Sequence, residues 1–327
     1  MEETTAWLRS ARRSFSIVGF AFSTLIAVAL IAQSALLFLP ELLGWDALPQ
    51  QSWWDWICAS APMYLFAFPA GFLVLRFLPG KAPEPRALTK KQFFTLLPMC
   101  FCLMYAGNLV GTTLSFLLSG GNATNALNDY AMDTHPLKIV VMAILAPVLE
   151  ELICRKLLID RTVRYGEKVS VLMSGLIFGL LHGNLFQFFY AFALGCLFAY
   201  VYIRTGRVGY TMIFHAIINF LGAVVAPAVL SLMSDATAAL KVEKVSIQAA
   251  AMALSKMLVV SLYSMSLMGL AVFGLVLLIL NRRKLTWQET VQQLPGKQGI
   301  KAALLNVGMI LYTLICLAMI VLALFNN

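Results

Sequence analysis

The sequence predicts an all-α, polytopic membrane protein with about nine transmembrane helices and a cytoplasmic N-terminus. Three observations carry that expectation. First, 61% of the 327 residues are hydrophobic and only 12% are charged, with a mean hydropathy of +0.84; a soluble domain of this size does not carry that balance. Second, apolar runs of about 20 residues, bounded by charged or turn residues, recur along the chain. Third, Lys and Arg are distributed unevenly between the two sets of connections. With the N-terminus inside, all of the 24 Lys and Arg except Lys138, Lys241, Lys244 and Lys256 fall on one side, as the positive-inside rule requires.

The predicted spans are 15–39, 57–78, 93–119, 137–158, 169–183, 185–203, 208–231, 257–280 and 304–325. The first is too long for the apolar part of a signal peptide, so no cleavable signal is expected. Trp45, Trp53, Trp54 and Trp56 precede the second span and read as an aromatic belt at the outer interface. The fifth span is short and joins the sixth through Gly183-Asn184; the two are expected to meet below the outer surface. Residues 285–303, with Pro295-Gly296, read as an interfacial loop.

The chain divides into N-terminal helices (1–136), a polar-bearing core (137–231) and C-terminal helices (232–327). No internal repeat is visible. The net charge of +9 flanks apolar runs instead of forming one patch, so a lipid bilayer is the expected partner and nucleic acid is not. The six cysteines, 58, 100, 102, 154, 196 and 316, lie within apolar runs without metal-ligand spacing and read as small packing residues. Asn122-Ala-Thr124 matches a glycosylation triplet, a pattern common by chance.

Few ionisable groups lie at membrane depth: Glu150, Glu151, Arg155, His182 and His215. Each costs about 2.5–3.5 kcal/mol to insert, which makes it a functional-site hypothesis by default. His135 lies in the polar stretch DTHPLK and reads as a solvated loop residue. Glu151 and Arg155 are four residues apart, on one helix face, and can pair. Glu150 points about 100° away, without that partner, and is the carboxylate free to act as a general base. Pro147 should kink this helix. Gly175, Gly179 and Gly183 form a small-residue stripe that allows close helix approach and would fix His182. Phe178 and His182, and likewise His215 and Asn219, are four residues apart. The second pair presents an imidazole and an amide suited to a developing oxyanion.

The three patterns, Glu-Glu-x-x-x-Arg at 150–155, Phe-x-x-x-His at 178–182 and His-x-x-x-Asn at 215–219, occur in order. Together they resemble the CPBP family of intramembrane proteases (CAAX prenyl endopeptidase type II, bacteriocin-processing and abortive-infection-like proteins). The stretch FGLLHGNLFQFFYAFALGCLFAYVYIRTG is also similar to that family, and the resemblance covers roughly 137–225. It implies an intramembrane endopeptidase acting on a peptide or membrane-anchored protein, in the plasma membrane of a bacterium. Glu150 and His182 would bind and activate water, Glu151 and Arg155 would orient the site, and His215 and Asn219 would stabilise the oxyanion. No His-Glu-x-x-His occurs, which argues against a zincin helix. Glu150, His182 and His215 could nonetheless ligate Zn2+ with a position open for water; a metal-free glutamate base explains the residues equally.

Other readings remain open at this point. Intramembrane acids and histidines also build proton relays, so the sequence is compatible with a proton- or ion-coupled transporter or a bacteriocin immunity protein. A non-catalytic membrane scaffold is a third. The inverted repeat that would favour a transporter is not found.

Overall fold

A computed structural model describes residues 2–242, 244–290 and 292–325. Among these residues every regular element is helical: α1 (Glu2–Leu43), α2 (Ser52–Leu75), α3 (Lys90–Leu118), a short α4 (Ala126–Met132), α5 (139–162), α6 (Glu167–Leu181), α7 (Leu185–Thr205), α8 (Val208–Leu240), α9 (Ile247–Asn281), α10 (Gly296–Leu304) and α11 (Val307–Phe325). Seven of these, α1, α2, α3, α7, α8, α9 and α11, are long and apolar enough to cross a membrane by length and composition. The other two predicted spans correspond to α5, which carries the acids and basic residues of 150–161, and to the 15-residue α6. The protein is an integral, multi-pass helical membrane protein.

Several local expectations are corrected. α1 begins well before residue 15, α8 runs to Leu240 without a break, and the supposed loop 285–303 contains α10. Trp54 and Trp56 are buried, leaving Trp45 and Trp53 as the exposed members of the aromatic cluster. The Trp56 indole donates to Asp133 Oδ2 at 2.5 Å. Together with the His135 backbone N–H, that bond holds the Asp133 carboxyl below its ordinary range. His135 is half-buried rather than fully solvated, and its Nδ1 accepts the Leu137 N–H.

Prolines shape three helices. Proline lacks an N–H and clashes with the carbonyl four residues back. α2, α5 and α8 absorb this by widening the turn ahead of Pro69, Pro147 and Pro227, with N–H bonds reaching five residues back: Phe68 to Met63, Ala146 to Val141 and Ala226 to Leu221. α5 is thus widened just ahead of the regular turn that carries the acids. It widens again over 152–157, with no proline, so Arg155 lies within an irregular turn that begins just after Glu151.

The basic connections meet at one end of the bundle. The Lys81 N–H bonds the Asp160 carbonyl and the Arg86 N–H bonds the Thr205 carbonyl, each at 2.7 Å. Arg204 pairs with Glu167, Leu294 N–H reaches the Tyr165 carbonyl, and Ser14 of α1 meets the Tyr165 hydroxyl at 2.8 Å. One face of the molecule therefore collects the connections that the positive-inside rule assigns to the cytoplasm.

α6 and α7 form a hairpin whose helices approach through glycine. A Cβ at Gly175 would stand 2.4 Å from Cys196 Sγ, and one at Gly179 would stand 3.0 Å from the Phe188 carbonyl oxygen. Gly183 does not extend this stripe. It takes φ +64° and ends α6, a left-handed turn that glycine adopts without a steric penalty; Asn184 then caps α7 by accepting the Gln187 N–H. The turn is recessed. Gly111 of α3 abuts the Leu185 carbonyl and Gly183 abuts Met319 of α11, yet α3 and α11 continue to Leu118 and Phe325. At 1.5 Å per residue both extend about 10 Å past the turn. α6 itself spans only about 22 Å, so His182 lies below the outer surface, as expected from the sequence.

Replacing Gly175 by leucine should separate α6 from α7 and cost about 1–3 kcal/mol or more, read as a lowered melting temperature in detergent. Gly269→Ala, with nothing within 4 Å of the new Cβ, should be neutral or stabilising by about 1 kcal/mol.

Candidate functional site

The acid pair of α5 is met by α8 from one side and by α6 and α7 from another. Glu151 and Arg155 are fully buried, with Glu151 Oε2 3.1 Å from Arg155 Nε. The contact is coulombic more than directional, because neither atom has a hydrogen-bond partner of good alignment. Arg155 is further fixed by three groups. Its Nη1 donates to Ser174 Oγ at 3.2 Å, and Ser174 in turn donates to the Cys154 carbonyl. The guanidinium lies over the Phe178 ring at 4.4 Å and near that of Phe198 at 5.8 Å. A desolvated cation–π contact of this kind contributes on the order of 2 kcal/mol.

His215 bridges the two glutamates. Its Nδ1 is 3.2 Å from Glu151 Oε1 and its Nε2 is 3.9 Å from Glu150 Oε2. Since a carboxylate accepts, Nδ1 carries the proton in this pair, and Nε2 faces Glu150. Glu151 is therefore held from both sides, by Arg155 and by His215. Glu150 is different. Its side chain retains 19% exposure, against none for Glu151, and its neighbours are His215 Nε2 and Tyr64 of α2.

His182 ends α6. Its Nδ1 donates to the Phe178 carbonyl at 2.8 Å. A carbonyl only accepts, so the neutral ring carries its proton on Nδ1 and leaves Nε2 as a bare acceptor. Both histidines stand edge-on to Phe178, at 5.0 Å and 5.6 Å between centroids, which makes that ring the spacer between them. The carbonyl of His182 accepts from Asn184 Nδ2, and Gln187 carries this chain on to the Tyr190 hydroxyl at 2.9 Å.

The structure thus brings together Glu150, Glu151, Arg155, His182 and His215, with Phe178 in their midst. Asn219 lies one turn after His215 on α8. Its Nδ2 donates to the Met142 carbonyl at 2.9 Å, tying α8 to the widened turn of α5 and leaving one amide N–H uncommitted. Among the described residues, no three His, Cys, Asp or Glu side chains form a group that could hold a metal ion.

Four residues of the site escaped the sequence reading. Ser174 had a signal, since it precedes Phe178 and His182 at four-residue steps on one face of α6. Tyr64, Tyr190 and Phe198 had none, because each sits in an apolar run where an aromatic residue is ordinary packing.

A helical membrane protein with a buried acid–histidine site is the class that this fold and geometry define. Residues 133–221, the segment that holds every site residue on α5–α8, match the family model described as "Type II CAAX prenyl endopeptidase Rce1-like". A protein of Bacillus subtilis (strain 168) described as "Putative membrane peptidase YdiL" is 29% identical over 126 residues, which cover 36% of this chain and 50% of that protein. The chain spans about half the length of this curated relative. No solved structure matches the chain. Over the matched segment the chain is therefore similar to the Rce1-like family and to a membrane peptidase, in line with the resemblance read from the motifs.

Arg155→Met should leave the Glu151 charge buried without its cation, destabilising the protein by about 3–5 kcal/mol. The double variant Glu151→Gln/Arg155→Met should recover a substantial part of that loss in a thermal-unfolding cycle.

Proposed function

We propose that this protein is an intramembrane endopeptidase that hydrolyses a peptide bond of a membrane-associated protein or peptide, with Glu150 as the base that activates water. The observation that carries this reading is the unequal treatment of the two acids. Glu151 is locked between Arg155 and His215, whereas Glu150 keeps an accessible carboxylate beside an imidazole nitrogen and a phenol. A general base must be reachable by water and by substrate, and only Glu150 meets that condition. The Rce1-like match over 133–221 supports the reaction class.

In this reading a water sits between the Glu150 carboxylate and Nε2 of His182, whose lone pair is freed by the Nδ1–H bond to Phe178. Glu150 takes one proton from the water as the oxygen adds to the peptide carbonyl carbon. The carbonyl oxygen becomes the oxyanion, met by His215 Nε2–H when that ring is doubly protonated and by the uncommitted N–H of Asn219. Glu150 then returns its proton to the amide nitrogen, the carbon–nitrogen bond breaks, and acid and amine products leave. Glu151 and Arg155 take no part in bond making; they fix the ring plane of His215. Two carboxylates facing one arginine leave one negative charge, so one proton held within the Glu150–His215 pair keeps the buried set near neutrality. No step runs through a metal. The residues 137–231 would form the catalytic core, with 1–136 and 232–327 enclosing it.

The test is cleavage of membrane-anchored peptides by purified protein in detergent or vesicles. Glu150→Ala, His182→Ala and His215→Ala should each lower cleavage by about 100-fold or more. Wild-type rates in all three would refute the proposal. Proton flux into vesicles that depends on Glu150, without cleavage of any peptide, would favour a transporter instead.

A further inference from the structure

A second cleft lies at the end of the bundle where the basic connections gather, and none of the acid-site residues lines it. It is a cleft of ≈ 620 Å³ between the first turns of α1, the last turn of α2 and the corner between α5 and α6. Its polar rim carries Arg13 and Arg164 with the hydroxyls of Ser10 and Ser14, and no acidic residue lines it. Neither guanidinium is ion-paired with a carboxylate among the described residues. Arg164 is anchored from behind, with its Nη2 donating to the Tyr165 hydroxyl at 2.5 Å and its plane 4.7 Å from that ring. Its Nε is buried and has no acceptor. A guanidinium without a carboxylate partner, on a rim without acids, is suited to an anion.

The remainder of the cleft is apolar and runs the right way. α1 enters the membrane from Arg13 through Ile17 to Phe20, and α2 leaves it at Val74, with Phe77 and Leu78 just past its last turn. Cations therefore sit at the membrane surface, and an apolar wall descends from them along both helices. Phe20 and Phe77 are 39% and 73% exposed, so this wall opens to the surrounding bilayer. Arg76 holds its guanidinium 5.6 Å from the Phe77 ring, beside the cleft. A free phosphate would use the rim alone; an amphiphile uses both parts.

We propose that this cleft binds one anionic phospholipid, its phosphodiester on Arg13 and Arg164 and an acyl chain along Ile17, Phe20, Val74 and Phe77. Basic pockets between membrane helices on the cytoplasmic side suit such headgroups. Through Ser14, Tyr165 and Arg164 the bound lipid braces α1 against the corner of α5–α6, which carries the acid pair on one side and His182 on the other.

The full-length protein would be reconstituted into nanodiscs of phosphatidylglycerol or phosphatidylcholine, extracted gently, and its retained lipid counted by native mass spectrometry. Wild type is expected to retain phosphatidylglycerol about fivefold or more over phosphatidylcholine, and Arg13→Gln/Arg164→Gln to abolish that preference. Because Arg164 also contacts Tyr165, Arg13→Glu is the second variant. Arg13 is exposed, so its melting temperature in phosphatidylcholine should be unchanged while the preference falls. Phe77→Ser should also reduce retention. Equal retention of both lipids by wild type, or wild-type retention by the variants, would overturn the proposal. So would displacement of phosphatidylglycerol by millimolar inorganic phosphate, which would mark a simple anion site.

Discussion

The ion pair between Glu151 and Arg155, fully buried and four residues apart on α5, is the interaction on which the rest of the core depends. Two adjacent carboxylates at membrane depth repel each other and forfeit their hydration. One of them can be charged there only if a cation is brought to it and that cation is itself held. Arg155 does the first, and Ser174, Phe178 and Phe198 do the second from α6 and α7. The pairing orders three helices around one charge. It also breaks the symmetry of the acids, because His215 completes the shell of Glu151 and reaches Glu150 only with its far nitrogen.

The surrounding helices are shaped to make that arrangement possible. α5 is widened on both sides of the acids, ahead of Pro147 and again over 152–157, which frees the helix from ideal spacing where side chains must converge. α6 is short and stops at Gly183, so His182 ends below the outer surface. The glycines of α6 let α7 come close enough to deliver Phe198 and Tyr190 to the same region. Asn219 fastens α8 to the widened turn of α5 and so places His215, one turn before it, against both glutamates.

Much of this was legible in the sequence because it follows from periodicity. The four-residue spacings of Glu151 with Arg155 and of Phe178 with His182 survive in the structure as contacts, and hydropathy with charge asymmetry located the spans. What periodicity cannot show is contact between helices that are distant in sequence. Tyr64 meets Glu150 from α2, outside the segment that carries the family likeness, and an apolar run gives no sign of where a lone hydroxyl will point. The second role of Asn219 was hidden for the same reason. Spacing put it beside His215, but only the packing of α8 on α5 reveals the backbone carbonyl that claims its amide. Gly183 read as a packing residue because its spacing fits the stripe, whereas its positive φ shows it to be the end of the helix.

The division of labour between the two acids is tested most directly by comparing Glu150→Gln with Glu151→Gln in one experiment that reads melting temperature and peptide cleavage together. The account predicts that Glu150→Gln melts within a few degrees of wild type and has lost cleavage, while Glu151→Gln is destabilised by about 3–5 kcal/mol because Arg155 is left buried without its counter-charge. A Glu150→Gln protein that cleaves at the wild-type rate, or a Glu151→Gln protein as stable as wild type, would contradict it.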